Sequence, residues 1–262
     1  MKARSTILPI VAIIAIVTTS APLAFGASPT PKTLPDWSGA WAADFTLLVP
    51  RAIAIGRAVV EAAPGKAPNP ALPPLTANAL TQLQNYYLQK YGAANVPLIE
   101  NEARCIPIGM PAVMSPLPFE MLMSPGRVTI LTESGEARRI YTDGRPHPAN
   151  LVDKFEGHSI GHWEGDALVV DTIAISDKSE MFLGNPESLK SNKTHVIERM
   201  RRVGPTRFQI DFEVSNPDWF TTATRYTNYY DKLDGDIVEA YCQENNREST
   251  TDGEPDLTPP PL

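Results

Sequence analysis

Two histidines, His158 and His162, and Asp171 stand within GHSIGHWEGDALVVDT, residues 157–172, and they are the first candidates for chemistry. An imidazole held against a carboxylate has a fixed tautomer and a raised basicity, the two requirements of a general base. Gly165-Asp166 reads as a two-residue hairpin loop. That loop sets Trp163 opposite Leu168, His162 opposite Val169, Ile160 opposite Asp171 and His158 opposite Ile173. His158 then lies diagonal to Asp171 on one face, within hydrogen-bond reach. Trp163, Leu168, Val170, Ser159 and Thr172 occupy the other face. A one-residue change in the loop would move one strand's side chains to the opposite face. A strand histidine also has a plainer use, as a satisfied core or rim residue.

A metal is a weaker use of these histidines. On a strand, His158 and His162 lie about 13 Å apart and cannot share an ion. His195 and Glu198, three apart on another expected strand, point to opposite faces. His147, His158 and His195 meet only through tertiary contact. The expectation is therefore no metal and no cofactor.

Two further stretches carry binding chemistry. In YTDGRPHP, residues 141–148, Asp143-Gly144 makes a turn and Pro146 and Pro148 stiffen the chain. Arg145 and His147 are then displayed with little entropy to lose, and Arg145 is shaped to hold a carboxylate. Its plainer role is to pair with Asp143. In THVIERMRRV, residues 194–203, alternation places Glu198 and Arg202 on the inner face with Val196 and Met200. Buried charges need partners, so the interior is expected to hold a polar network, with Arg225 contributing. Such a patch marks a small-molecule site or a structural ion pair equally well. Trp163 and Tyr226 add aromatic surface for a ligand.

The elements that must position these residues are mainly strands. RVTILTE, ARRIYTD, GHSIGHW, ALVVDTIAI, THVIERMRRV, RFQIDFEV, TTATRYTNYY and DIVEAYCQ, all beyond residue 126, alternate or carry β-branched and aromatic residues, and turn signals separate them. The expected fold is all-β: a mainly antiparallel meander closed or nearly closed into a barrel of about eight strands. Closure removes exposed edges. Thr76 caps an expected helix over residues 77–91, with Leu80, Leu83 and Tyr87 on one face. Residues 50–75, rich in Ala and Pro, show no clear period. Five prolines in residues 105–126 argue against a long helix or a central strand there.

The chain ends set the address. Lys2 and Arg4 precede ILPIVAIIAIV, and Ala24-Phe25-Gly26 offers a cleavage site. This reads as a secretory signal peptide over residues 1–26, too short to span a bilayer as a helix. Residues 27–36 read as a linker, 37–245 as one domain, and the acidic, proline-rich 246–262 as a disordered tail. Removing Met1–Gly26 takes the formal charge from 23 − 30 = −7 to 21 − 30 = −9. With no basic stripe, nucleic acid and anionic membranes are excluded as partners. Cys105 and Cys242 have no CxxC neighbours. In an oxidising compartment they form one disulfide, worth about 4–5 kcal/mol, or remain two buried thiols.

DWSGAW, CIPIGMP, IYTDGRPHP, GHSIGHWEGDALVVDT, THVIERMRR and YCQENN, spread over residues 36–246, resemble a family of exported bacterial proteins of unknown function. That family supplies no established activity and no catalytic residues. Gly39-Ala40-Trp41 is also similar to the G-x-W signature of lipocalins, which implies a ligand-holding barrel. No G-x-S-x-G, P-loop or dinucleotide fingerprint is present. The functional expectation is an exported, periplasmic or secreted, binding protein for a small apolar or aromatic molecule. The alternative is a cofactor-free acid–base enzyme, an isomerase, lyase or hydrolase, using His158 with Asp171.

Overall fold

The structure is a computed structural model that describes residues 34–63, 69–90, 106–181 and 189–238. Nine strands close into one barrel: β1 (Gly39–Ala43), β2 (Phe119–Ser124), β3 (Arg127–Thr132), β4 (Ala137–Tyr141), β5 (His158–Glu164), β6 (Ala167–Ile173), β7 (His195–Arg202), β8 (Arg207–Ser215) and β9 (Thr224–Lys232). They follow chain order, and β9 returns to β1 through Trp41–Lys232 and Ala43–Tyr230. All neighbours are antiparallel except β4 and β5, which run parallel. A parallel joint needs a return crossing. Residues 142–157 supply it, carrying the chain from the end of β4 to the start of β5.

The hairpin register is the one the loop Gly165-Asp166 imposes: Trp163 opposite Leu168, Ile160 opposite Asp171 and His158 opposite Ile173. Period-two alternation decides what is inside. On β8, Phe208, Ile210, Phe212 and Val214 point inward and are nearly inaccessible. On β6, Leu168, Val170 and Thr172 do the same. Trp41 of β1 is fully buried, and its indole N–H donates to the Trp37 carbonyl at 3.0 Å. Inward side chains thus fill the barrel, and its interior is a packed core.

Strand content departs from expectation in two places. β2 forms inside the proline-rich segment, paired with β1 and β3. Pro118 and Pro125 bracket this six-residue strand and interrupt none of its ladder, so proline density was a poor guide. β1 lies far ahead of the other strands in sequence, and together these two raise the count to nine. Only residues 236–238 of the expected strand DIVEAYCQ are described, and they are not in a strand.

Among the described residues two α-helices precede β2. Helix α1 (Phe45–Glu61) is capped by Asp44, whose carboxylate accepts from the Thr46 N–H at 3.0 Å. Small residues Gly56 and Ala58 let it seat closely, which explains why an alanine-rich stretch without a clear apolar period is helical. Helix α2 (Ala77–Lys90) starts at the Thr76 hydroxyl, which accepts from the Ala79 N–H at 3.1 Å. Leu83 and Tyr87 are buried and Leu80 packs beside them. Gln84 donates to the Val59 and Ala62 carbonyls at 2.9 and 2.7 Å. It thereby satisfies the open carbonyls at the end of α1. Among the described residues no helix is long and apolar enough to cross a membrane. The expected signal peptide over residues 1–26, the expected tail over 246–262, Cys105 and Cys242 lie outside the described residues.

Candidate functional site

Three places in this barrel gather polar chemistry. The first is on the outer wall of β5, β6 and β7, beneath the return segment. Gly157 turns the chain into β5 at a positive φ of 64°, and a Cβ there would lie 2.7 Å from the Ile173 carbonyl. Only glycine fits this close approach. His158 follows on the outer face, with its ring stacked 5.5 Å from Tyr141. The return segment brings His147 over it, and the two Nδ1 atoms lie 2.8 Å apart. His147 Nε2 is 3.4 Å from Asp171 Oδ1, and His195 Nε2 is 2.9 Å from the same oxygen.

His158 and Asp171 thus share a face, but their direct hydrogen bond is not formed. His147 stands between them, and His195 is the nearest partner of Asp171. The pair is also on the outer wall, only partly buried. Burial works to raise the Asp171 pKa, but the hydrogen bond from His195, with the charges of His195 and His147, outweighs it and leaves the pKa lowered. The Asp171 hydrogen bond raises the His195 pKa. Burial, then the charge of His147, lower the His158 pKa.

These contacts are compatible with one proton order. An ionised Asp171 only accepts, so Nε2–H of His147 and of His195 donate to it. In the form of His147 that bears its proton on Nε2 alone, Nδ1 accepts from Nδ1–H of His158. Nε2 of His158 is left as the basic nitrogen of a His158–His147–Asp171 relay. Among the described residues no three His, Cys, Asp or Glu side chains are grouped to hold a metal ion.

The second place is the barrel interior. Arg138 and Glu198 are essentially inaccessible and form a two-pronged ion pair, with Arg138 Nη1 donating to Glu198 Oε1 at 2.9 Å and Nη2 donating to Oε2. Nη2 also donates to Thr172 Oγ1 at 3.0 Å, and Nε donates to Ser159 Oγ at 3.3 Å. The pair is therefore satisfied on both sides. Nearby, the Glu156 carboxyl oxygens are buried beside the Glu136 carboxyl group. Burial, and then the neighbouring Glu136 carboxylate, push the Glu156 pKa up to about 7.

The third place is a cavity of about 440 Å3 beside the start of β9. Leu48, Ile55, Leu72, Pro73, Pro74 and Pro116 give it apolar walls, and Arg51, Arg225 and Tyr226 enter from the polar side. Tyr226 points inward and stacks on Phe212 with ring centroids 4.8 Å apart. Burial raises its hydroxyl pKa. Arg51 reaches in from α1, donating to the Thr227 carbonyl at 2.6 Å and to the Asn228 side-chain oxygen. Its guanidinium lies 5.2 Å from the Tyr226 ring centroid.

The structure separates the residues that alternation had grouped. Glu198 is interior, but its partner is Arg138. Arg202 instead donates to the backbone carbonyls of Gly204, Asp36 and Pro205, because it stands at the last position of β7, where the chain turns. Arg225 is outward and paired with Glu213 at 2.8 Å. Trp163 is a core residue whose ring lies 5.0 Å from Trp37. Arg145 pairs with Asp143 at 2.5 Å and lies over Tyr141 at 4.2 Å. His147 and His195 join the outer cluster.

Arg138 and Arg51 were missed. Arg138 was legible: in ARRIY, inward Ile140 forces Arg138 inward too. Arg51 was not, because nothing local says that α1 leans on β9. The chain matches no protein-family model, and the search of curated proteins returns no match.

Proposed function

We propose that this is an exported binding protein for a small molecule with an apolar or aromatic body. The observation that carries the reading is the cavity of about 440 Å3 beside β9. Its volume falls within the usual range of ligand pockets, and it combines apolar walls with a few polar groups. The lipocalin expectation puts the ligand inside the barrel; because the interior is filled, our reading puts it on this flank, between α1 and β9. The signal peptide read from residues 1–26 supports an exported setting.

The test is native mass spectrometry and fluorescent-probe titration of the mature protein and of Ala52→Trp, which fills the cavity from α1. Retained or titrated ligand is expected in the wild type and loss of uptake in the variant, with the melting temperature kept within a few degrees. Equal uptake by the two proteins overturns the site.

A second reading, cofactor-free acid–base catalysis, has its own observation in the His158–His147–Asp171 relay. It predicts turnover of an aromatic ester or a similar proton-transfer substrate, reduced about 100-fold or more in His158→Ala. Equal rates in wild type and variant overturn it.

A further inference from the structure

Six arginines in the described residues sit against a carboxylate: Arg138 on Glu198, Arg145 on Asp143, Arg199 on Glu164, Arg201 on Asp211, Arg207 on Asp44 and Asp231, and Arg225 on Glu213. Arg51 does not. Its protein partners are neutral oxygens, the Thr227 carbonyl and the Asn228 amide. Among the described residues no carboxylate contributes to its electrostatics. Loss of solvation lowers its pKa, and among the described residues the groups that oppose this are the Tyr226 and Tyr230 phenols.

A guanidinium has five N–H donors and stays protonated. Among the described residues two of the five are used, which leaves three. They belong to a partly buried cation lining a cavity that is otherwise mostly apolar. An unpaired desolvated charge is costly, and an anion that pairs with it recovers that cost. The planar fork matches a carboxylate in two-pronged geometry.

We infer that the cavity ligand is an amphipathic carboxylic acid, with its carboxylate on Arg51 and its apolar body against Leu48, Ile55, Leu72 and the flanking prolines. The inference rests on the binding reading above and specifies the chemistry at one end of the ligand. Arg225 stands at the rim, already neutralised by Glu213, so the acid end is set at Arg51. The Tyr226 ring, stacked on Phe212, lies beside the Arg51 guanidinium and holds it in place at the cavity.

The experiment is isothermal titration of the mature full-length protein with two matched pairs: dodecanoic acid against dodecanol, and 4-phenylbutanoic acid against 4-phenylbutanol. It is run at pH 7.5 on wild type, Arg51→Met, Arg51→Lys and, as a distant charge control, Arg199→Gln. In the wild type and in Arg199→Gln, each acid is expected to bind about 10- to 100-fold tighter than its alcohol. In Arg51→Met the acid should fall to the affinity of the alcohol, and Arg51→Lys should keep part of the preference.

Acid and alcohol binding the wild type alike overturns the carboxylate assignment and leaves the binding reading standing. An acid preference that survives Arg51→Met also overturns it. No binding of any of the four probes counts against the cavity as a binding site. If Arg51→Met fails to fold, the wild-type acid–alcohol ratio together with Arg51→Lys still decides.

Discussion

Arg138 and Arg51 are both drawn out of water by the same barrel, with opposite outcomes. Arg138 meets Glu198, Ser159 and Thr172, so nearly every donor has an acceptor supplied by a neighbouring strand. Arg51 meets a carbonyl and an amide, and among the described residues its charge is left without an anion. The first arrangement is closed: a ligand there would have to break the ion pair and open the core. The second is open, and it faces a cavity. Burial of a charge is thus no marker of function in this molecule; the informative quantity is whether the protein itself completes the charge's partners.

The comparison is broken most directly at Arg138. Arg138→Met leaves Glu198 charged and alone in the core, and should cost about 3–5 kcal/mol in urea unfolding. Adding Glu198→Met should recover most of that loss, since a well-packed apolar pair is close to neutral. A small cost for the single substitution would show that water reaches the pair.

Next in size is Glu156. Its folded pKa, about 7, lies above its ordinary value of 4.5. The folded state therefore holds a proton that the unfolded state releases, and stability falls as pH rises from about 4.5 through 7. Glu156→Gln should remove that slope. At pH 8 the gain is at most about 3 kcal/mol, and near pH 4 it vanishes. Parallel melting curves of wild type and variant across this range would refute the assignment.

Smaller again is the outer cluster. His195 has a raised pKa in the fold, so its contribution is full below about 6.5 and fades as pH rises through the folded value. Asp171 has a lowered pKa, so its contribution is present above about 3.8 and lost as pH falls through the folded value. The pair therefore stabilises most between these limits. The His195 side chain is 42% exposed, and solvent screening limits the effect. Asp171→Asn should cost about 1 kcal/mol or less near pH 5.5, and less at pH 9.

The smallest change in stability is expected at the other arginine. Arg51→Met should alter unfolding by under about 1 kcal/mol, because it removes two hydrogen bonds and also a desolvated charge. A loss comparable to that of Arg138→Met would place Arg51 among structural ion pairs, against the distinction drawn between them.

Most of the barrel could be read from alternation. RFQIDFEV and the hairpin around Gly165-Asp166 are local objects, set by period two and by one turn, and their registers follow directly. β2 was hidden by its flanking prolines, and α1 by its alanines. The site divides the same way. The face shared by His158 and Asp171 followed from the hairpin, but His147 arrives by the return segment and His195 from another strand. Glu198 was placed inside correctly from its neighbours, while its partner came from β4, sixty positions earlier. Arg51 depends on how a helix leans on a strand more than 170 residues away, and no local pattern encodes that.

The position of β1 has a consequence for how the chain reaches this state. β2 through β9 join neighbours close in sequence, apart from the crossing before β5 and the longer connection before β7. β1 alone must pair with a strand at the far end of the described chain. Such contacts form late, because loop closure must precede any gain from pairing. Until β1 inserts, β2 and β9 present open edges to solvent and to other chains. Arg225, Asp231 and Lys232 along β9 put charges on that edge, which makes edge-to-edge association unfavourable while the barrel is still open.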